Sequence, residues 1–491
     1  MRLSFLTLAA GTALAAPASA AAPTDPQGWR AAAAQDLNAI HDILRDNSPA
    51  MVVKRDSAHF RLWLNEGLRQ ARSRLPKVRD AKSYYYVVRY YVAGFRDSHI
   101  QFGPNRESGV NLRGYAWPGF VLGYRAGAYE VAFRAPDAPD APPPGARLLG
   151  CDGKGAEALV RAHDLYDGNF RLASVRAARA VDLMMERGNP FITHPKICRF
   201  RVGGTTKTYR LRWRPLDDAH TDQIDAAISA GRRRQLGIEP WAPGRWWIEI
   251  PSMNGGQNWS RFYADVKAHL DAVRAADLVV IDVRGNGGGD SSYADRLARI
   301  LWGDALVDAR QPRLGPTVWR VSKLNRDNWA GFVEKVSADP DYPADDKAEF
   351  RRILALYDRA LAHGDPTFRL EDDSGVRKPA SGPNPMHGRV VLLTDTACNS
   401  ACLDLMDEFT AMPDTVQAGT VTSADTIFME LTQVPLLPSG LAGFGFGHKA
   451  WIERPRGSNI PYTPAPRLTW TGKPGDEAGL RRWLATAALG K

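Results

Sequence analysis

Three short stretches carry residue types that can do acyl-transfer chemistry. In the first, Asp395-Thr-Ala-Cys-Asn-Ser-Ala-Cys402, an apolar run at 390–394 ends in a polar turn, and a helical pattern starts at Ser400. A serine at a strand-to-helix junction holds its hydroxyl beside backbone N–H groups that the helix leaves unpaired, and such groups can stabilise an oxyanion. Capping the helix is the commoner job of a serine placed there. In the second stretch a buried apolar run at 278–283 leads into Gly285-Asn-Gly-Gly-Gly289. Glycines let backbone N–H groups come close to a substrate. No Gly-Lys-Ser/Thr follows and the G-x-G-x-x-G spacing is not met, so the loop does not read as a nucleotide site. The third stretch is Arg96-Asp-Ser-His-Ile100. A serine nucleophile needs a base. Among ten histidines, His99 stands out in a polar turn beside Asp97, just after a helix end.

The elements that must hold these stretches follow from hydrophobic spacing. Residues 24–100 read as helical, with apolar positions three and four apart over 29–44 and 60–75 and a tyrosine cluster at 84–91. Residues 113–217 change to short strand-like runs, a helical stretch over 155–186, and a hairpin-like pair at 197–202 and 208–213 across Gly203-Gly204. Residues 218–240 are polar and read as a linker. From Arg245 onward strands (246–250, 278–283, 390–394) alternate with helices (259–275, 292–302, 400–412), and a last helix covers 476–489. Alternation of this kind predicts an α/β fold with a mostly parallel sheet and its ligand site at the strand C-termini. Residues 310–385 are charged and lack that order, so they read as an insertion.

At 491 residues the chain is too long for one core. Its formal charge of +10 is spread along the chain with no dense Lys/Arg run interleaved with aromatics, so no nucleic-acid partner is expected. Arg2, an apolar run to about residue 16 and Ala18-Ser19-Ala20 have the layout of a secretory leader over residues 1–20. No later stretch is apolar for long enough to span a membrane. The expectation is an exported, soluble protein, periplasmic in a Gram-negative source. In an oxidising compartment Cys151, Cys198, Cys398 and Cys402 would form disulfides, for which four cysteines allow three pairings. Cys151–Cys198 with Cys398–Cys402 is favoured; the second bond requires Cys398 to sit ahead of the helix. No second CxxC or paired histidine lies nearby, so no metal or other cofactor is expected.

Taken in order, these stretches resemble the S41 serine peptidases, the group that includes C-terminal processing peptidases. "LVVIDVRGNGGG" is similar to the family's strand and glycine loop, and "VVLLTDTACNSACLDLMDEF" to its strand–serine–helix unit. "GFRDSHIQFG" resembles the Asp-x-His turn of its Ser–His branch, and "VQAGTVTSADT" the strand and turn after the nucleophile helix. Gly145-Ala-Arg-Leu-Leu-Gly-Cys-Asp-Gly153 resembles a PDZ-type peptide-binding module. The resemblance implies a helical subdomain (24–105), a PDZ-like domain (113–217) and a crotonase/ClpP-like catalytic domain (240–491). It implies Ser400 as nucleophile, His99 as general base, and an oxyanion hole from the N–H groups of Ala401 and of Gly287 or Gly288. The substrate would be a peptide or protein. Where processing peptidases carry a lysine, this chain has Asp425, too acidic to serve as the base. Asp425 would instead orient His99 as a third triad member. Where some Ser–His relatives have Glu, Leu403 stands, with Asp404 next to it. These departures leave a rival reading, a peptide-binding protein with a degenerate site.

Overall fold

A computed structural model describes residues 22–108, 110, 112, 115–166, 168–228, 235–255, 258–312, 315–340, 342, 344–371, 383–454, 456–473 and 475–488; the leader at 1–20 lies outside the described residues. The chain opens with α1 (Pro26–Asn47), α2 (Ala58–Arg72) and α3 (Ala81–Ala93). Asp25 caps the first with Pro26 at its start, and Asp80 and Ser83 form a reciprocal capping box on the third. Their apolar stripes, among them Leu37, Ile40, Trp63, Leu64, Val87 and Tyr91, share a core with Phe428, Phe444 and Phe446 from far along the chain. After α3 the chain turns through residues 94–100 into β1 (Gln101–Pro104).

A separate antiparallel sheet follows, with strands Phe120–Arg125, Ala128–Arg134, Arg147–Cys151, Ile197–Val202 and Thr205–Arg210 in that spatial order. The hairpin at its end closes earlier than the sequence pattern indicates. Gly203 and Gly204, both at positive φ, form a two-residue turn, so the returning strand starts at Thr205. The expected helix over 155–186 is broken into Ala156–His163, Ala173–Arg179 and a 3₁₀ turn, Ala180–Met184. Cys151 and Cys198 face each other across neighbouring strands and are disulfide-bonded.

The remaining chain builds two sheets. One contains β2 (Gly237–Ala242), β3 (Arg245–Glu249), β4 (Leu278–Asp282), then β7 (Arg389–Thr394) and β8 (Thr415–Gly419), the intervening strands β5 (Thr317–Arg320) and β6 (Thr367–Leu370) going elsewhere. β3, β4, β7 and β8 are parallel; only the edge strand β2 runs against them. Every residue of β4 is buried, as a strand covered on both faces must be. Val279, Ile281, Val390 and Leu392 point to one side, against α4 (Trp259–Ala268), α5 (Ser292–Trp302) and α6 (Ala401–Phe409). Leu278, Val280, Val391 and Leu393 point to the other, against Leu480 and Leu484 of α7 (Glu477–Ala487).

The second sheet is antiparallel: β1, β10 (Ala442–Trp451), β5 and β6 lie side by side, and β9 (Phe428–Val434) also pairs with β10. Residues 310–385, expected as a charged insertion, are therefore woven into a sheet. Two helices, Lys323–Ala338 and Ala344–His363, join β5 to β6 and pack Trp329 and Tyr357 onto Trp319. The expected linker at 218–240 likewise holds a helix, Asp218–Ile228, that buries Ile224, followed by β2. Both segments are polar on their outer faces, and only tertiary contact reveals the buried ones. Among the described residues no helix is long and apolar enough to cross a membrane.

Between α6 and α5, burial and the nearby Asp295 push Glu408 from 4.5 up to about 8. The folded state thus keeps a proton that the unfolded chain releases between those values. This contribution to stability is complete below about pH 4.5 and is lost as pH rises through 8. Glu408→Gln should remove the loss: its thermal midpoint should exceed that of the wild type by roughly 3 °C or more at pH 9 and by much less at pH 5, read by circular dichroism.

Candidate active site

The register of the parallel sheet ends β4 and β7 together, with Asp282 opposite Leu393, so the two loops that follow them meet. Asp395 accepts hydrogen bonds from the N–H groups of Gly285 (3.0 Å) and Ala397 (2.9 Å), and the Asn399 N–H donates to the carbonyl of Asn286 (3.3 Å). The turn delivers Ser400 directly ahead of α6 with φ 55° and ψ −126°. Such a backbone costs a non-glycine residue about 1–3 kcal/mol. An ordinary capping serine would sit in the extended region with its hydroxyl bonded to the first helical N–H groups; Ser400 makes no such bond. Its Oγ instead lies 3.1 Å from Nε2 of His99.

The glycine loop packs against that serine. A Cβ on Gly288, at φ 103°, would fall 2.8 Å from the Ser400 Cβ and 2.7 Å from the Asn399 carbonyl oxygen. One on Gly289 would strike the Met253 carbonyl oxygen at 2.0 Å. Asn286 braces the loop from inside, donating to the Ile250 carbonyl (2.9 Å) and accepting from the Gly288 N–H (2.8 Å). Arg284 anchors its start, bridging Asp282 (2.7 Å) and Glu477 on α7 (2.9 Å). The Gly288 N–H is engaged by Asn286, whereas Gly287 is exposed with open space beside its Cα.

His99 arrives from the other sheet. It sits in the turn between α3 and β1, and β1 is held by β10. Asp97 shapes that turn by accepting the His99 backbone N–H at 2.8 Å, and its other oxygen accepts the Thr426 hydroxyl at 2.9 Å. The Asp97 carboxylate also stands 3.7 Å from Nδ1 of His99, ion-pair range but too long for a hydrogen bond. Burial raises the Asp97 pKa, partly offset by His99 and these hydrogen bonds. Asp425, expected to orient His99, is directed elsewhere: it ion-pairs with Arg454 (3.0 Å) and Arg456 (3.2 Å) in a fully buried cluster. Asp404 also turns to Arg456, at 3.4 Å. His387 is largely exposed at the opposite end of β7.

One residue that carries no signature in the sequence belongs to this neighbourhood. Glu430 holds φ 57° in β9 and interrupts the pairing between Met429↔Lys449 and Leu431↔Gly447. Burial would raise its pKa, yet the charges of Lys449, 3.3 Å away, of His448 and of His99 overcome that and lower it. A glutamate in a strand has no pattern that singles it out; only the fold brings it within electrostatic reach of His99. The Cys398–Cys402 disulfide is formed, with Cys398 in the turn and the helix starting at Ala401, as its geometry required. No group of His, Cys, Asp and Glu suited to a metal ion occurs among the described residues.

Residues 247–436 match the profile of Peptidase family S41, a span that includes the glycine loop and Ser400 and leaves His99 outside. The crystal structure of mature CPAF aligns with a TM-score of 0.59 at 14% identity, covering 94% of this chain and 97% of that one. Mature CPAF complexed with lactacystin aligns at 0.56, also at 14% identity, covering 89% and 93%. At this identity the likeness is one of fold, an α/β protease fold. No curated protein matches the chain by sequence.

Gly288→Ala tests the contact between loop and serine. The added methyl must displace Ser400 or the loop, so kcat/KM and labelling by a fluorophosphonate should fall by about 10²-fold, the scale of losing one oxyanion donor. Far-UV circular dichroism should stay that of the wild type.

Proposed function

We propose that this chain, which matches Peptidase family S41 over residues 247–436, is an exported serine-type peptidase that cleaves peptide bonds through an acyl-enzyme on Ser400 with His99 as general base. The observation that carries the reading is the 3.1 Å separation of Ser400 Oγ and His99 Nε2, built from residues 301 positions apart. For Nε2 to accept the serine proton, the neutral ring must carry its own proton on Nδ1, the nitrogen that faces Asp97. Ser400 attacks the carbonyl, and the tetrahedral oxyanion forms between the N–H groups of Ala401 and Gly287. His99, now cationic, lies beside the Asp97 carboxylate and hands its proton to the leaving amine. Water then attacks the acyl-enzyme, with His99 again as base, and frees Ser400.

Asp97, in place of Asp425, is the positioning carboxylate in this scheme, because it is ordered by Thr426 and the His99 N–H and lies within ion-pair range of the ring. Glu430 adds a second negative charge nearby. The antiparallel sheet of residues 120–210, PDZ-like in its Gly145–Gly153 line, would hold an extended peptide along a strand edge. Export is supported by the leader-like N-terminus and by two formed disulfides.

Ser400→Ala should abolish turnover and fluorophosphonate labelling, and His99→Ala should reduce kcat by about 10³-fold or more. A folded wild-type protein that takes no label would make this a peptide-binding protein without catalysis. Asp97→Asn should lower kcat at least tenfold with little change in KM. Asp425→Asn strips a buried partner from two arginines, so its main effect should be a lower thermal midpoint. If Asp425→Asn keeps the wild-type midpoint and loses kcat while Asp97→Asn is silent, Asp425 is the positioning carboxylate.

A further inference from the structure

Ser400 is bracketed by a covalent bond: Cys398 stands two positions before it, Cys402 two positions after it, and the two are joined. Both cysteines are completely buried, Cys398 in the turn and Cys402 in the first turn of α6. The backbone between them is the part of the site with most reason to relax. Ser400 stands at φ 55° and caps nothing. Rotated into the extended region, it would become an ordinary N-cap: its Oγ would bond to an N–H of the first helical turn and leave His99. The non-covalent ties on the turn lie mostly ahead of the serine, at Asp395, at the Asn399 N–H and at the Cys398 carbonyl, which accepts the Ser423 N–H at 3.0 Å. Between Cys398 and Cys402 two ties cross the serine, the Cys402 N–H donating to the Asn399 carbonyl at 3.1 Å and the disulfide, and only the disulfide is covalent.

Resting on the Ser400 reading above, we propose that the Cys398–Cys402 disulfide is a positioning element that holds the nucleophile in its left-handed conformation and makes peptidase activity conditional on oxidation. The chain is latent while the pair is dithiol and competent once it closes. Closure is thiol–disulfide exchange: the two thiols lose two protons and two electrons, and a disulfide oxidant of the receiving compartment is reduced to two thiols. Because both sulfurs are buried in the finished fold, the bond forms as the chain folds and is then shielded from external reductant. A peptidase built in this way would be silent in the reducing compartment where it is made and would become active where disulfides form.

Two cysteine-pair variants of the full chain separate this from general stabilisation. Each is unfolded and reduced, then refolded either under reducing conditions or with oxidised glutathione, with thiols counted by alkylation and mass spectrometry after denaturation. The readouts are kcat, KM, fluorophosphonate labelling rate and near-UV circular dichroism. Cys398→Ala/Cys402→Ala should keep the wild-type spectrum and KM, lose at least tenfold in kcat and labelling, and ignore glutathione. Cys151→Ala/Cys198→Ala, which retains only the pair around the serine, should be inactive when reduced and gain at least tenfold on oxidation. Wild-type kcat in the first variant, or equal labelling of the reduced and oxidised forms of the second, overturns the proposal. If the first variant does not fold, the second decides alone. An oxidised wild-type protein that takes no label would instead sink the Ser400 reading itself.

Discussion

A serine held at φ 55° immediately ahead of a helix has to be constrained from every side, and much of this fold can be traced to that demand. The conformation aims Oγ away from its own helix, so the hydroxyl is free for a partner brought from elsewhere. It also crowds the loop opposite, which explains a glycine at 288, where a Cβ would lie 2.8 Å from that of the serine. Parallel strands in register let β4 and β7 end side by side, and the turn and the loop can then bond to one another through Asp395 and Asn286. An antiparallel pair would send the two strand ends in opposite directions.

Behind the serine, electrostatics take over from backbone geometry. Arg456 is almost wholly buried and meets Asp407 at 2.5 Å, Asp425 at 3.2 Å and Asp404 at 3.4 Å, and it also donates to the Leu403 carbonyl. Two of these carboxylates, and that carbonyl, belong to α6. Burial raises Asp407 to about 6 despite the arginine, a measure of how far the cluster is removed from water. Asp425 precedes Thr426, which donates to Asp97. The cluster therefore links the helix that follows Ser400 to the segment that orders His99. Buried ion pairs contribute little net stability, but losing one partner leaves a costly unpaired charge. Such a network tolerates few alternative arrangements, which suits a site whose two halves must meet within hydrogen-bond range.

The residues that were legible in the sequence are those whose neighbours in the chain declare their role. Residues 278–281 and 390–393 announce buried strands through unbroken apolar runs, and Ser400, Gly285–Gly289 and His99 stand out in the turns that follow defined elements. What could not be read depends on contacts across the fold. The sequence points to Asp425 as the carboxylate for His99; the fold pairs Asp425 with the arginines at 454 and 456 and sets Asp97 within ion-pair range of the ring. Gly287 and Gly288 look alike in the sequence; in the fold the Asn286 side chain takes the Gly288 N–H. The strands at 317–320 and 367–370 are too short and too charged at their flanks to be told from loop, and Trp319 and Tyr357 bury only because β10 lies beside them.

The separation of His99 from Ser400 in the chain has a consequence for how the site forms. Ser400 and its glycine loop belong to the parallel sheet, whereas His99 belongs to a turn that is fixed only when α3 packs on the β9–β10 core and β1 pairs with β10. Asp97 is ordered by a threonine two residues ahead of β9. None of these contacts can exist in a folding intermediate that has completed the parallel sheet alone. The nucleophile turn, by contrast, draws its ties from residues within or next to that sheet and from a disulfide spanning only four positions, so it can be set early. The order of assembly that the topology favours is then a formed Ser400 turn first, and His99 beside it only when the whole chain is docked. On the proposed mechanism, a general base at residue 99 makes hydrolytic competence a property of the complete fold.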